Sequence, residues 1–320
     1  MQDKLIARAK ELLSEGKVQK VVGWKKGLFE DDITPAVFTT AEELDKDFVF
    51  NKYCKANLSK YLVGITKNIE IAKSTTRMNN TMAKQRDPNA ADAPIPQEVV
   101  LVFLKPADTY SFTQLLKESR ITREDVYAIG VPCQDTIDGG EVCDNCAGKK
   151  PVSCDEYIGV DPNADLSPNT SRMEEVAKLE AMSVEERYNF WRNEFSRCIR
   201  CNACRNVCPA CTCEKCVFDN NALYTTQKVA ETNFEESLFH IIRAWHVAGR
   251  CTDCGECSRV CPQNIPLYLL NRKYIKDINE IYGDYQAGAD MESKPAMLCF
   301  QEDDPETTIV YDRSKDGGNE

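Results

Sequence analysis

The sequence predicts an α/β domain followed by a helical module, so that the chain as a whole is α+β, and three observations carry this expectation. A strand, helix, strand order runs from Val99 to Val131; two cysteine runs of identical spacing stand further along; and helical periodicity brackets both of those runs. At 320 residues the chain is long enough for two domains, because single hydrophobic cores stop growing at about 250 to 300 residues. The expected boundaries are 1–165 for the α/β domain, 166–300 for the helical module and 301–320 for an acidic tail poor in apolar residues.

The elements follow in order. Residues 4–15 place Leu5, Ala9, Leu12 and Leu13 on one stripe, and Gly16 closes the helix. Short β-like runs, Lys20 to Trp24 and Ala36 to Thr39, flank a turn-rich stretch, and Thr40 with Glu43 offers a capping box for a helix reaching Phe48. Asn57 to Ile71 reads as mixed and Arg77 to Gln97 as a long surface loop, since neither sustains a period. Val99 to Leu104 and Val126 to Val131 are continuous apolar runs with a short helix between them, Phe112 to Ser119; that order predicts a parallel βαβ unit covered on both faces. One helix is expected from Arg172 to Phe195, with Val176, Leu179, Val184, Tyr188 and Trp191 along one side and a second capping box at Ser183 and Glu186. Two more are expected at Glu235 to Ala248 and at Leu267 to Ile281, the latter ended by Gly283.

Composition narrows the class. Hydrophobic residues make up 42% and charged residues 28% of the chain, which fits a packed globular protein and not wholesale disorder. Forty Lys and Arg against 51 Asp and Glu give a net charge of −11, with the basic residues spread singly among acids, so no nucleic-acid partner is expected. No apolar run approaches the roughly 20 residues of a membrane span, and Met1 leads straight into an amphipathic pattern without a secretory or transit signature. The cytoplasm is the expected location. In that reducing compartment seventeen cysteines read as metal ligands and not as disulfides, the more so because seven of them fall between Cys198 and Cys216.

Cys198, Cys201, Cys204 and Cys208 followed by Pro209 spell CxxCxxCxxxCP, and Cys251, Cys254, Cys257 and Cys261 followed by Pro262 repeat it. Three thiolates at this spacing curl the backbone around one 4Fe-4S cube and aim amide N–H groups at its sulfides. The fourth points away and, as in two-cluster ferredoxins, serves the other cube. The expected module is therefore a helical two-cluster ferredoxin-like one (an alpha-helical ferredoxin) with crossed ligation: Cys198, Cys201, Cys204 and Cys261 for cluster one, and Cys251, Cys254, Cys257 and Cys208 for cluster two. The competing reading is tetrahedral zinc, which usually takes CxxC pairs separated by a longer loop.

Two further groups stand outside this repeat. Cys133, Cys143, Cys146 and Cys154 begin just after a predicted strand, where α/β sheets place ligands; they read as a third 4Fe-4S cluster, a structural zinc or unligated thiols. Cys211, Cys213 and Cys216 need a fourth ligand from Cys54, Cys299, His240 or His246, with Cys54 the first choice, for a cluster, a zinc ion or a local replacement within the crossed scheme. His240 and His246 are not spaced to share a helix face and read as packing or surface residues. No Ser/His/Asp order, GxGxxG or GxxxxGK appears, so no catalytic residues are expected.

The NxxKYL-like Asn57 to Leu62, LKPADTYSFTQLLKESRITREDVYAIGVPC from Leu104 to Cys133, FSRCIRCNACRNVCPACTC and GRCTDCGECSRVCPQNIPL together resemble the bacterial dicluster iron-sulfur proteins related to coenzyme F420 hydrogenase/formate dehydrogenase β subunits, from about Val37 to Asp304. The resemblance implies an electron-relay subunit, in a hetero-oligomer of anaerobes, that passes single electrons between a hydrogenase or formate dehydrogenase and a heterodisulfide-reductase-like flavoprotein. It also implies an alternative, a flavin-dependent dehydrogenase in which residues 37–160 hold FAD; here the chain has KPADTYS where a KPCD-type motif is commoner, and no residue set is assigned to a flavin. A non-redox, zinc-stabilised scaffold is the third reading.

Overall fold

The computed structural model describes residues 1–133, 150–163, 170–219, 233–295 and 302. The expectations for Cys143, Cys146, Cys299 and, Glu302 apart, the acidic tail lie outside the described residues.

Helix α1 (Gln2–Ser14) buries Leu5, Ala9 and Leu12, and Gly16 takes the left-handed conformation, φ +69°, that lets the chain turn back. Strand β1 (Lys20–Lys26) pairs antiparallel with β2 (Ile33–Phe38) and parallel with β3 (Val100–Leu104). Helix α2 (Ala41–Asp47) begins at the Thr40 and Glu43 capping box, both halves of which are present. Helix α4 (Pro106–Lys117) joins β3 to its parallel neighbour β4 (Val126–Gly130), and the two-residue β5 (Glu156–Tyr157) extends the sheet to the order β2-β1-β3-β4-β5. All five residues of β3 are buried. Successive strand residues face opposite sides, so both faces of the sheet are covered.

Two expectations are corrected. Residues 87–97 are irregular, but most of the stretch read as mixed and the first part of the one read as loop form one 28-residue helix, α3 (Ser59–Arg86). It buries only Ser59, Leu62, Thr66, Ile69 and Lys73, a stripe too narrow and too polar to give a hydrophobic period, and Asn80 exchanges two 2.9 Å hydrogen bonds with Ala93 in the segment folded back along it. The single helix expected from Arg172 to Phe195 is two, α5 (Glu174–Glu180) and α6 (Val184–Phe195), because the Ser183 capping box starts a new helix and so breaks the old one. Val184 and Tyr188 lie on its outer side, 77% and 59% exposed.

The helical part continues with one-turn α7 (Ala203–Asn206), α8 (Asn233–Trp245), one-turn α9 (Glu256–Arg259) and α10 (Leu267–Tyr282). Helix α8 packs against α6 and α10, and α7 lies beside α9. Among the described residues no helix is long and apolar enough to cross a membrane.

Polar contacts seat the second cysteine run on the sheet part. Ser111 Oγ of α4 lies 2.8 Å from Thr252 Oγ1, Asn57 Nδ2 donates to Ser111 Oγ at 2.9 Å, Asn57 N donates to Glu256 Oε2 at 3.2 Å, and Arg250 Nε donates to Glu118 Oε1 at 2.8 Å. The Asn57 loop is itself held by Lys105, whose Nζ donates to the carbonyls of Cys54, Lys55 and Ala56 at 3.0 to 3.1 Å and lies over the Trp24 ring. Lys105→Met removes these charge-assisted bonds and is expected to destabilise the sheet part by about 2–4 kcal/mol. A thermal unfolding midpoint equal to that of the unsubstituted chain would show that Lys105 carries none of this.

Candidate metal centre

The two cysteine runs share one backbone design. In each, the third and fifth residues have positive φ: Arg200 (+53°) and Asn202 (+60°) in the first, Asp253 (+58°) and Gly255 (+73°) in the second. Gly and Asn tolerate this conformation, and alternating it with right-handed residues turns successive amide N–H groups toward one side, which makes a nest for an anion. The sulfurs already use such amides, as where Arg200 N donates to Cys198 Sγ at 3.4 Å. A single helical turn, α7 or α9, then carries the chain to Cys208 or Cys261.

The third residue of each run is also a buried charge tied to another helix. Arg200 Nε donates to Glu236 Oε1 of α8 at 2.8 Å, while Asp253 Oδ1 accepts from Arg272 Nε of α10 at 2.8 Å and Asp253 Oδ2 accepts from Arg172 at 3.2 Å. The signs are reversed and the geometry is the same. Each pair fixes the crown of a loop against the helix that follows the run in sequence, and because the charges are paired inside the protein their burial is tolerated.

Cys198, Cys201, Cys204 and Cys261 line one cavity, roofed by Phe239 and His240 of α8. Cys208, Cys251 and Cys254 line a second, whose far wall is Ser111, Gln114 and Leu115 of α4 and Glu118 just past its end; Cys257 is a near neighbour of Cys208. Thus the last cysteine of each run sits with the first three of the other. Burial pushes the thiols up, Cys198 to about 12 with help from Glu236, Cys257 to about 11, and Cys251 and Cys254 upward as well. A positive group in contact favours the thiolate form of these four.

Among the described residues no three cysteine sulfurs lie within 4.8 Å of one another. Four thiolates on one tetrahedral zinc ion, with Zn–S near 2.3 Å, stand about 3.8 Å apart. The spacing suits a body wider than a single ion. Cys198, Glu236 and His240 do offer ligand atoms within 4.8 Å, but Glu236 is paired with Arg200 and His240 is stacked 4.5 Å from Phe195. Burial holds the His240 imidazole at about 3, hence neutral.

Arg243 of α8 gives the sharpest test of what belongs in this space. Its side chain is 1% exposed, its Nε and Nη1 have no hydrogen-bond partner, and its Nη2 reaches only Asn271 Oδ1 at 3.5 Å. The sulfurs of Cys257, Cys204, Cys208 and Cys211 are near enough to act on its charge. A buried guanidinium without a carboxylate is strongly unfavourable unless anions surround it, and sulfide-rich cubes with thiolate ligands supply them. The residues therefore fit iron-sulfur clusters. The sequence reading missed Arg243, although Glu236, Phe239, His240, Arg243 and Ala244 form the buried stripe of α8 and three of these five are polar.

The other predicted ligands divide. Cys133 lies just past β4 and Cys154 just before β5, where its Sγ comes 3.4 Å from the position a Cβ on Gly130 would occupy; burial pushes the Cys154 thiol up to about 12. Cys211, Cys213 and Cys216 line one cavity, together with His246. Cys54 is corrected as their partner. It sits in the core under β1, its Sγ 3.4 Å from Val49 O and accepting from Asn51 N at 3.3 Å, burial raises its thiol to about 11, and it does not line that cavity.

Arg243→Met tests the fit from both sides. Without metal the variant is expected to be more stable than the unsubstituted chain by roughly 1–4 kcal/mol, since an uncompensated charge has gone. With clusters in place their reduction potentials are expected to fall by about 60 mV, the equivalent of roughly 1.4 kcal/mol for one electron. Unchanged potentials in protein-film voltammetry would remove Arg243 from the site.

Residues 194–265 match the 4Fe-4S dicluster domain family. The chain is 32% identical over 122 residues to the F420-dependent formate dehydrogenase subunit beta of Methanocaldococcus jannaschii, covering 37% of this chain and 31% of that protein. It is 30% identical over 145 residues to the F420-dependent formate dehydrogenase 1 subunit beta of Methanococcus maripaludis, covering 41% of this chain and 36% of that protein. It thus spans about a third of the length of the curated relatives it matches. The chain carries a 4Fe-4S dicluster domain and is related to the beta subunits of F420-dependent formate dehydrogenases.

Proposed function

We propose that this chain is the iron-sulfur electron-transfer subunit of a cytoplasmic formate dehydrogenase-type complex, with the α/β part as the platform on which the helical dicluster part is seated. One cube would be held by Cys198, Cys201, Cys204 and Cys261 and the other by Cys251, Cys254, Cys257 and Cys208. The observation that carries this reading is the buried Arg243, set among sulfurs of both quartets with no carboxylate of its own. When bound, the clusters supply one-electron redox chemistry with little ligand movement. The chain's own residues do the rest. Phe239 and His240 keep water from one quartet and α4 walls the other, Arg243 offsets negative charge between them, and the nests built on Arg200, Asn202, Asp253 and Gly255 present amides to sulfur.

Seating the second quartet against Ser111 and Glu118 puts it beside the sheet part, whereas the first lies toward α6 and α8. Two sites at opposite ends of a short path suit a relay between two partners. A formate dehydrogenase catalytic subunit is the proposed donor or acceptor at one end, and a flavoprotein of the heterodisulfide-reductase-like class at the other.

The crossed pairing makes a sharp expectation. Cys204→Ser and Cys261→Ser, 57 residues apart in sequence, should abolish the same reduced-cluster signal in electron paramagnetic resonance, while Cys208→Ser abolishes the other. Loss of one signal on Cys204→Ser and of the other on Cys261→Ser would overturn the pairing. For the function, anaerobic mixing with a formate dehydrogenase catalytic subunit and formate should bleach the visible cluster absorption on a turnover timescale. No bleaching, or flavin released on denaturation in amounts equal to the chain, would replace the relay with another reading.

A further inference from the structure

One thiol-lined cavity of the helical part lies outside the crossed scheme. It measures about 390 Å³ and is lined by Cys211, Cys213, Cys216 and His246. Its walls are cationic. Arg205 pairs with Asp219 beside Cys216, the Lys60 ammonium donates to Cys211 O, Arg250 pairs with Glu118, and Arg243, whose Nε and Nη1 have no hydrogen-bond partner, lines the same space. Cationic side chains around three thiols and an imidazole describe a place for an anionic, thiolate-held body.

We propose that this cavity holds an iron-sulfide cluster of its own, bound by Cys211, Cys213 and Cys216 with the His246 imidazole as the remaining protein ligand. His246 directly follows α8, is exposed, and lines the same space as the three thiols; Cys54 and His240 are buried elsewhere. A mononuclear zinc ion also accepts three cysteines and a histidine, and the spacing of the ligand atoms selects the cluster over it. No three of these four ligand atoms lie within 4.8 Å of one another. A four-coordinate ion, whose thiolates stand about 3.8 Å apart, draws its ligand atoms closer than that.

The position deepens the relay reading and rests on it in one respect, the assignment of Cys208. Cys211 N donates to Cys208 O at 3.1 Å, and Ala210 and Arg250 line both this cavity and that of Cys208, Cys251 and Cys254, so the two adjoin. Its exposed members, Cys213 and His246, put the additional cluster at the surface, at the end of the same row.

The test uses the full chain purified anaerobically, with iron, acid-labile sulfide and zinc counted per chain. Cys213→Ala/Cys216→Ala leaves Cys211 beside Cys208 and is expected to lose about four iron and four sulfide relative to the unsubstituted chain, while the two dicluster signals persist. Unchanged iron and sulfide, or one zinc ion in the unsubstituted chain that vanishes in the variant, would overturn the proposal. For the fourth ligand, chain labelled with nitrogen-15 histidine should show a nitrogen coupling to a reduced cluster in pulsed resonance that His246→Ala abolishes; a coupling absent from the start would overturn the assignment of His246. Failure of the dicluster reading is read separately, from loss of the dicluster signals in the unsubstituted chain.

Discussion

Sulfur stands where a hydrophobic core would be in the helical half. The buried clusters there contain Phe195, Ile265 and Leu267 with Cys204 and Cys257, edged by Cys198 and Cys261, and a satellite of Val176, Leu179 and Leu269. Burying a handful of large apolar side chains contributes about 1.5–3 kcal/mol each, whereas ordering the backbone costs about 1–2 kcal/mol for every residue in these helices. Bonds to metal would supply the difference. Because the last cysteine of each run lies with the first three of the other, cubes held in the proposed pairing would tie the segments before and after α8 into one body, and metal affinity would become folding free energy.

The same constraint explains why so many charges are buried around the sulfurs. Arg200 with Glu236 and Asp253 with Arg272 and Arg172 clamp the two loops to α8 and α10, and Arg243 stands between the quartets without a carboxylate. In an apolar core each would be a liability. Next to anionic clusters the unpaired cation is a counter-charge, and the paired ones hold the nests in shape without adding net charge. The sheet part contributes rigidity: Lys105 fixes the loop that leads to Asn57, and Asn57, Ser111 and Glu118 fix the second run.

The sequence made the sheet and the ligand candidates legible for different reasons. Runs of β-branched residues such as Val100 to Leu104, buried on both faces, and the Thr40 and Ser183 capping boxes are local signals, and the structure has a buried strand and two helix starts at those places. The repeat CxxCxxCxxxCP is equally local. Helix α3 was illegible because its outward faces are polar along most of its length, and the break between α5 and α6 was signalled by a capping box that periodicity overrode. The role of Arg243 and the meeting of Cys211, Cys213 and Cys216 with His246 are tertiary facts. Only the packing of α8 reveals them, and Cys54 was a reasonable partner for those thiols until the core under β1 claimed it.

The central claim is that metal-thiolate bonds, not apolar burial, hold the helical half together. Its most direct test is anaerobic removal of iron from the full chain by a chelator, followed by hydrogen exchange resolved along the sequence. The account predicts that protection collapses across α5 to α10 while β1, β3 and β4 keep theirs. Full protection of α8 and α10 in the iron-free chain would contradict it.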